Sequence, residues 1–549
     1  AAGDGPGRRR AVSTAPAPGT RPATGWTAVR RPSAEALTGA LLLGAGIAIC
    51  SITALRGIQP NDEGLMLQAA ARIASGEVPY RDFWWYYPPG QPYLLAGLWK
   101  LSGPSLLDWR ILRVIANAVV ALLAWRLALR RSTPPVALLA WAVALLAMAY
   151  PSGPHPFPVA LALALGALLL FERHPAWAGV LVGACAAWRL EFAGYLGLGI
   201  LLALAISPEA TSRRRGIPSV LGASVLTALI LYLPVVVPAG IGNSWELLVR
   251  YPLTEFGDYQ GLPFPLAYDG PLNTSSLGGF LSDSAENLLA WWLPLVAVVG
   301  FAGAAAALLA TFRRATDWPV IATLVFTVGM AHYLLVRPDI FHPAPLVVTG
   351  AVLSASALAS WRRETIEPVA RKVIVGAGAL LAGASLAYAA VEGLDRQWLL
   401  LRAPAAKVEA PPADGVRAEP ALAGSLSAAV AEARRLSSPG EPIYVTGRRA
   451  DITTAGAPLF YVLAERPNPT RYDIAAPGVV TSAPVQEEIV EELRSVRPPV
   501  IIRWDSPQTA APEPNRAGRS SGVRILDRYV DSAYREAGRF GDWVVLTPR

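Results

Sequence analysis

Residues 56–97 read RGIQPNDEGLMLQAAARIASGEVPYRDFWWYYPPGQPYLLAG, a dense mixture of carboxylates, aromatics and turn residues directly after a long apolar segment. Asn61 stands where a helix N-cap would, with Asp62 and Glu63 in the first turn. An amphipathic run, LMLQAAARIA, follows, and Gly76 closes it. Tyr80, Arg81 and Asp82 lead into the aromatic run Phe83, Trp84, Trp85, Tyr86 and Tyr87, which ends on the stiff turn Pro88-Pro89-Gly90. Trp and Tyr collect where a membrane meets water, and carboxylates stay wet there. The stretch therefore predicts a loop at a membrane surface, with the aromatic run as its anchor, as a platform for a sugar, or as both.

The surrounding composition agrees. The chain is 53% hydrophobic and only 16% charged, with a mean hydropathy of +0.38, which is too apolar for an ordinary soluble protein and predicts a polytopic membrane protein. The net charge of +8 does not point to nucleic acid. That would need basic clusters on one folded face with aromatics among them, whereas these arginines sit in short groups between apolar segments. The two cysteines, Cys50 and Cys185, lie inside apolar runs and build neither a disulfide framework nor a CxxC metal site.

Apolar segments fall near 36–55, 110–130, 135–150, 156–172, 176–188, 192–207, 217–237, 288–311, 318–336, 341–360 and 371–391. A bilayer core takes about 20 residues to cross, so the fourth and fifth are short. Arg30/Arg31, Arg130/Arg131, Arg173, Arg213/Arg214/Arg215, Arg313/Arg314 and Arg362/Arg363/Arg371/Lys372 occupy alternate gaps. The positive-inside rule places those gaps in the cytoplasm, and about eleven spans with N-terminus in and C-terminus out satisfy it throughout. Residues 1–35, rich in Ala, Pro, Gly and Arg, predict a disordered cytoplasmic tail too long for a simple signal peptide, so the segment behind it is expected to be a retained anchor. The membrane domain is then 36–391, with a first outer loop at 56–109 and a large one at 238–287.

After residue 391 the apolar runs shorten to strand length (Ile443–Val445, Val500–Ile502, Trp543–Leu546), with helical patterns near 421–436, 484–496 and 523–534. This predicts a linker over 392–420 and a small extracytoplasmic α/β domain over 421–549, which recruits an acceptor or packs over the first loop. Its Arg448, Arg449, Asp451, Arg471, Tyr472 and Asp473 read as solvated surface. No P-loop, GxGxxG or GxSxG elbow is present.

The gaps facing outward hold the groups that carry chemistry. Asp62 and Glu63 are candidate catalytic carboxylates; Arg81, Asp82, Tyr87, Arg189, Glu191, Arg337, Asp339 and His342 are candidate substrate contacts. Each also has a structural reading. Asp62 and Glu63 complement a helix dipole, Arg81 and Asp82 steady a loop, and Arg189 and Glu191 pair across a tight turn. Arg337 snorkels, Asp339 caps the next helix, and His342 is a partly buried polar residue. His155, between two prolines, reads as a loop residue. A divalent cation is left open by this acidic and imidazole inventory, but no ligand spacing demands one.

The stretch NDEG…GEVPYRDFWWYYPPGQPYLLAGLWKLSG resembles the first extracytoplasmic loop of the GT-C glycosyltransferases, the superfamily of protein mannosyltransferases and aminoarabinose transferases (glycosyltransferase family 39-like). Arg337-Pro338-Asp339 with His342 is similar to a late-loop element of bacterial members. The first match covers 56–113 and the second 337–345. The resemblance implies transfer of a sugar from a polyprenyl-phosphate donor to a glycan, lipid or protein acceptor outside the cell membrane. Asp62 would be the catalytic carboxylate with Glu63 beside it, and Arg81, Arg189 and Arg337 would meet the lipid phosphate. The loop 238–287, with Tyr251, Glu255, Asp258, Tyr259 and Tyr268, lacks the later motifs of those branches and reads as a lid or an acceptor site. The alternative, a transporter or flippase of lipid-linked sugars or small solutes, would place charges near the bilayer midplane in matched halves; here they gather at one face.

Overall fold

The computed structural model describes Gly3 and residues 34–149, 157–209, 212–268, 272–276, 279–280, 284–285, 287–311, 318–339, 341–359 and 368–549. The chain forms two compact units, Ala1–Leu41 and Leu42–Arg549. Apart from Gly3, Ala34 and Glu35, the expected tail at 1–35 lies outside the described residues, as do His155, Arg313, Arg314, Arg362 and Arg363.

Each expected span coincides with an apolar helix. The first nine helices are α1 (Ala34–Ser51), α2 (Asp62–Ala74), α3 (Gly90–Ser102), α4 (Leu106–Leu129), α5 (Pro134–Met148), α6 (Phe157–Leu170), α7 (Pro175–Ala186), α8 (Leu190–Ile206) and α9 (Ile217–Ala239). Further helices cover Leu293–Thr311, Trp318–Val336, Pro343–Ala359 and Pro368–Tyr388. Among the described residues, five helices are long and apolar enough to cross a membrane, and six apolar ones are shorter. Proline opens α5 and α7, where its missing N–H costs nothing. α7 has 12 residues, about 18 Å at 1.5 Å each, short of a bilayer core of about 30 Å. It lies tightly against α9: a Cβ on Gly183 would stand 2.4 Å from the Ser224 carbonyl oxygen. Small residues at such a crossing let two membrane helices approach closely.

The C-terminal region begins before residue 421. The stretch expected as a linker carries its own structure: β1 (Ala406–Lys407) and β2 (Arg417–Ala418) form an antiparallel pair, bound to the end of the first apolar segment. Arg417 N–H donates to the Leu55 carbonyl, and Gly57 N–H to that of Arg417, both at 2.8 Å. Beyond it, β3 (Tyr444–Gly447), β4 (Ile501–Trp504), β5 (Tyr534–Phe540) and β6 (Trp543–Pro548) make a sheet of order β3-β4-β6-β5. β3 and β4 run parallel; the other pairs are antiparallel. Helices Pro420–Leu436, Ala483–Val496 and Ile525–Ala533 pack on it, close to the expected positions. Ile501, Val544 and Leu546 enter one core while Ile502, Trp543 and Val545 enter another. A sheet buried on both faces reads as short continuous apolar runs, which is why β4 and β6 are visible in the sequence. β5, YREAGRF, is a polar edge strand and is not.

The second of those cores is shared with the first loop. Phe83, Trp84, Trp85 and Tyr86 are buried together with α2, the helix Leu459–Ala464 and the sheet. This corrects the reading of the aromatic run as a membrane anchor: rings enclosed in protein cannot lie among headgroups. Trp84 N–H donates to the Arg471 carbonyl at 2.8 Å, and its ring meets Tyr251 edge-on at 5.1 Å. The C-terminal region thus packs over the first loop, one of its two expected roles.

Candidate active site

α2 starts and stops where expected, but its cap is put to other use. Asn61 makes no side-chain cap bond. Its Nδ2 donates to Asp62 Oδ1 at 2.8 Å, and its Oδ1 accepts Gly456 N–H at 3.1 Å. The neighbouring Leu459 N–H reaches the Pro60 carbonyl at 3.1 Å. A Cβ on Gly64 would lie 2.1 Å from the Leu459 nitrogen, so only glycine admits this approach. At the other end, Gly76 takes a φ of +100°, the conformation that stops a helix. Asn61 therefore ties Asp62 to the C-terminal region.

Burial pushes the Asp62 carboxyl up to about 6. The Asn61 hydrogen bond and Arg337 oppose this, while Asp339 and Glu63 add to it. Glu63, expected beside Asp62 in catalysis, is engaged elsewhere. Arg110 in α4 grips it bidentately, Nε to Oε1 and Nη2 to Oε2, each at 2.9 Å. Gln59 N–H adds a bond to Oε2 at 3.2 Å. The remaining Arg110 donors go to the Ala54 and Gly57 carbonyls, so the pair pins α2 to the membrane helices.

Tyr80 turns the chain toward the site through a left-handed φ of +70°. Its N–H meets the Phe83 carbonyl at 3.1 Å, and its hydroxyl donates to the Tyr87 carbonyl at 2.8 Å. The Tyr87 hydroxyl accepts from Tyr86 at 2.8 Å. Burial raises its pKa; the Tyr86 bond and the charges of Arg189 and Arg337 pull it down, while Asp62 adds to the rise. Tyr87 thus feels the charges of both arginines and of Asp62.

Arg189 leaves the α7–α8 turn. It lies 2.8 Å from Glu191, donates to the Tyr333 hydroxyl at 2.8 Å, and rests its guanidinium over the Tyr333 ring. On the other face of the site His342 stacks against Tyr333 at 4.4 Å. His342 Nδ1 donates to Asp339 Oδ1 at 2.6 Å, and the same oxygen accepts the N–H groups of Phe341 and His342. Burial lowers the His342 pKa against the hydrogen bond and charge of Asp339. Arg337 reaches Asp339 through Nε at 3.2 Å and Glu513 through Nη2 at 2.9 Å. Asn515 secures that connection by donating to the Tyr259 and Gly261 carbonyls at 3.0 and 2.9 Å.

Glu191, Arg189, His342, Asp339 and Arg337 are thus linked through Tyr333 by direct contacts, and Asp62 and Tyr87 feel the charge of Arg337. Arg81 and Asp82 are instead bound to each other by two bonds of 2.8 Å, with Arg81 reaching the Pro238 carbonyl, and they steady the loop. Asp473, read as surface, has its side chain buried and paired with Arg72 of α2 at 2.9 Å; Asp451 is buried against Arg449. Sequence reasoning passes over Arg110, Tyr333 and Glu513. A charge inside an apolar helix could have flagged Arg110. Among the described residues no three or more His, Cys, Asp or Glu side chains converge as a metal site, so no ligand set for the divalent cation emerges.

No protein-family model matches the chain, and no curated protein does. Among solved structures, ArnT from Cupriavidus metallidurans bound to undecaprenyl phosphate superimposes with a TM-score of 0.54 and 12% identity, over 94% of this chain and 98% of that one. The apo state of the same protein gives 0.50 and 13% over the same shares. The fold is GT-C-like. At this identity the likeness speaks for architecture, so the chemistry has to come from the side chains.

Proposed function

We propose that the protein is a membrane glycosyltransferase that moves a sugar from a polyprenyl-phosphate donor to an acceptor on the outer face, with inversion and with Asp62 as general base. The observation that carries this reading is one partly desolvated carboxylate, Asp62, under the charge of Arg337, with Arg337 linked through Asp339, His342 and Tyr333 to Arg189. Support comes from the neighbour with undecaprenyl phosphate bound on the same architecture. The eleven-span arrangement with the C-terminal region outside belongs to the same proposal.

In the step, Asp62 takes the proton of the acceptor hydroxyl as that oxygen bonds to the anomeric carbon. The bond from that carbon to the phosphate oxygen breaks, and its electron pair leaves with the lipid phosphate. The sugar passes through an oxocarbenium-like state. Arg337 and Arg189 offer the departing phosphate charge-assisted donors, while Asp339 and His342 fix Arg337 and the Tyr333 ring. A carboxylate raised to about 6 is still ionised at neutral pH and is a stronger base than a solvated aspartate.

The test is transfer from a panel of radiolabelled polyprenyl-phosphate sugars by membranes carrying the wild type or Asp62→Asn. Transfer by the wild type alone supports both class and base. Equal transfer by both removes Asp62 from the mechanism. Carrier flux across liposomes without any transfer would make the protein a transporter.

A further inference from the structure

A cavity of about 660 Å³ opens between the start of α2 and the C-terminal region, within the roughly 300–1,000 Å³ of small-molecule sites. Asp62 lines one wall. Glu419, Gln508 and Asp542 line it from the C-terminal region together with Trp504 and Trp543, whose rings are stacked 5.3 Å apart at 8°. Among the described residues that line it, none is Lys, Arg or His.

Asp62 therefore divides two surroundings of opposite character. On one side acts the charge of Arg337, suited to a phosphate. On the other are carboxylates, an amide and indoles, where an anion would meet like charge with no counter-ion. Carboxylates and amides accept from and donate to sugar hydroxyls, and the two buried, mutually stacked indoles back the cavity behind them. Glu419 already accepts the Ala421 and Leu422 N–H groups at 3.2 and 2.9 Å; each oxygen keeps a second lone pair for a hydroxyl.

We propose that this cavity is the acceptor subsite and takes an uncharged, hydroxyl-rich glycan chain, presenting one of its hydroxyls to Asp62. The proposal rests on Asp62 being the base of the transfer step, and it gives the C-terminal region a share in acceptor choice.

Full-length protein in nanodiscs is titrated calorimetrically with three neutral probes, maltohexaose, mannohexaose and arabinohexaose, and with the anionic hexagalacturonate. The variants are Ala421→Trp, which fills the cavity from an exposed helix start, and Gln508→Ala, a milder change on an exposed turn; melting curves confirm that both fold. Binding of at least one neutral hexamer, weakened tenfold or more by Ala421→Trp and less by Gln508→Ala, with none for hexagalacturonate, is the expected result. Hexagalacturonate binding as tightly as the neutral probes, neutral binding unmoved by Ala421→Trp, or no neutral binding at all would each overturn it. Release of lipid phosphate from the donor is followed in parallel. Release without neutral binding sinks the subsite alone, and neutral binding without release sinks the transferase reading instead.

Discussion

Arg110 and Glu63 lie 2.9 Å apart at both ends of a two-bond grip, with both side chains fully buried. The grip joins the first helix of the loop to a membrane helix, and each partner removes the other's desolvation problem. Taking away one partner of a buried pair costs about 3–5 kcal/mol because the other charge is left alone. Arg110→Met should therefore lower the melting temperature in detergent severely. Glu63→Gln should do so too, with any loss of turnover following loss of fold. A Glu63→Gln protein that melts like the wild type but has lost transfer would make Glu63 catalytic after all.

For Asp62 the two readouts move in opposite directions with pH. Its folded pKa, about 6, stands above the ordinary aspartate value of 3.8, so the folded state binds the extra proton. Stability is greatest below about pH 4 for this group and falls as pH rises to 6, by at most about 3 kcal/mol. Turnover should rise over the range approaching pH 6, where the base forms. Asp62→Asn is expected to melt no lower than the wild type at pH 7.5 while losing roughly 10²–10⁴-fold in turnover. A pH–rate profile without a limb near 6 would count against the assignment.

Glu513 sits on a guanidinium proposed for the lipid phosphate. Both side chains are partly exposed, so their bond is worth about 1 kcal/mol or less. Glu513→Ala should leave melting nearly unchanged and lower the donor KM by up to about fivefold. Arg337→Ala should reduce kcat/KM by roughly 10–150-fold, the loss of one charge-assisted contact. Steady-state kinetics with varied donor separates the two.

Gly64→Ala tests the seam between α2 and the C-terminal region. The new methyl would meet the backbone of Leu459 at 2.1 Å, which cannot swing aside as a side chain would. A destabilisation of about 1–3 kcal/mol is expected from such overpacking, together with faster tryptic cutting at Arg448 and Arg449. Unchanged cutting would mean that the seam opens freely.

The membrane part is legible because a bilayer imposes length and apolarity on each span, and every predicted segment from 36–55 to 371–391 meets a helix. Asp62, Arg189, Arg337 and His342 stand out in the sequence as candidates because charges at span ends are costly without a use. Hidden instead are the partners that the sequence separates. Arg110 answers Glu63 from 47 residues away, and Glu513 answers Arg337 from 176. The aromatic run misleads because Trp and Tyr serve a headgroup layer and a protein core equally well. β5 escapes because an edge strand need not be apolar.

The bond from Gly456 to Asn61 spans 395 residues, and that separation has a consequence for biogenesis. Synthesis at 5–20 residues per second leaves an interval of roughly 20–80 s between the two partners. Throughout it the aromatic run of the first loop has no cover, and Asp62 has no second wall. The nascent chain must wait, half-built and sticky, for its C-terminal region to leave the ribosome. Truncation ahead of that region should yield an inserted protein that is captured by quality control, and a slow or stalled ribosome should harm this chain more than one whose long-range contacts close early.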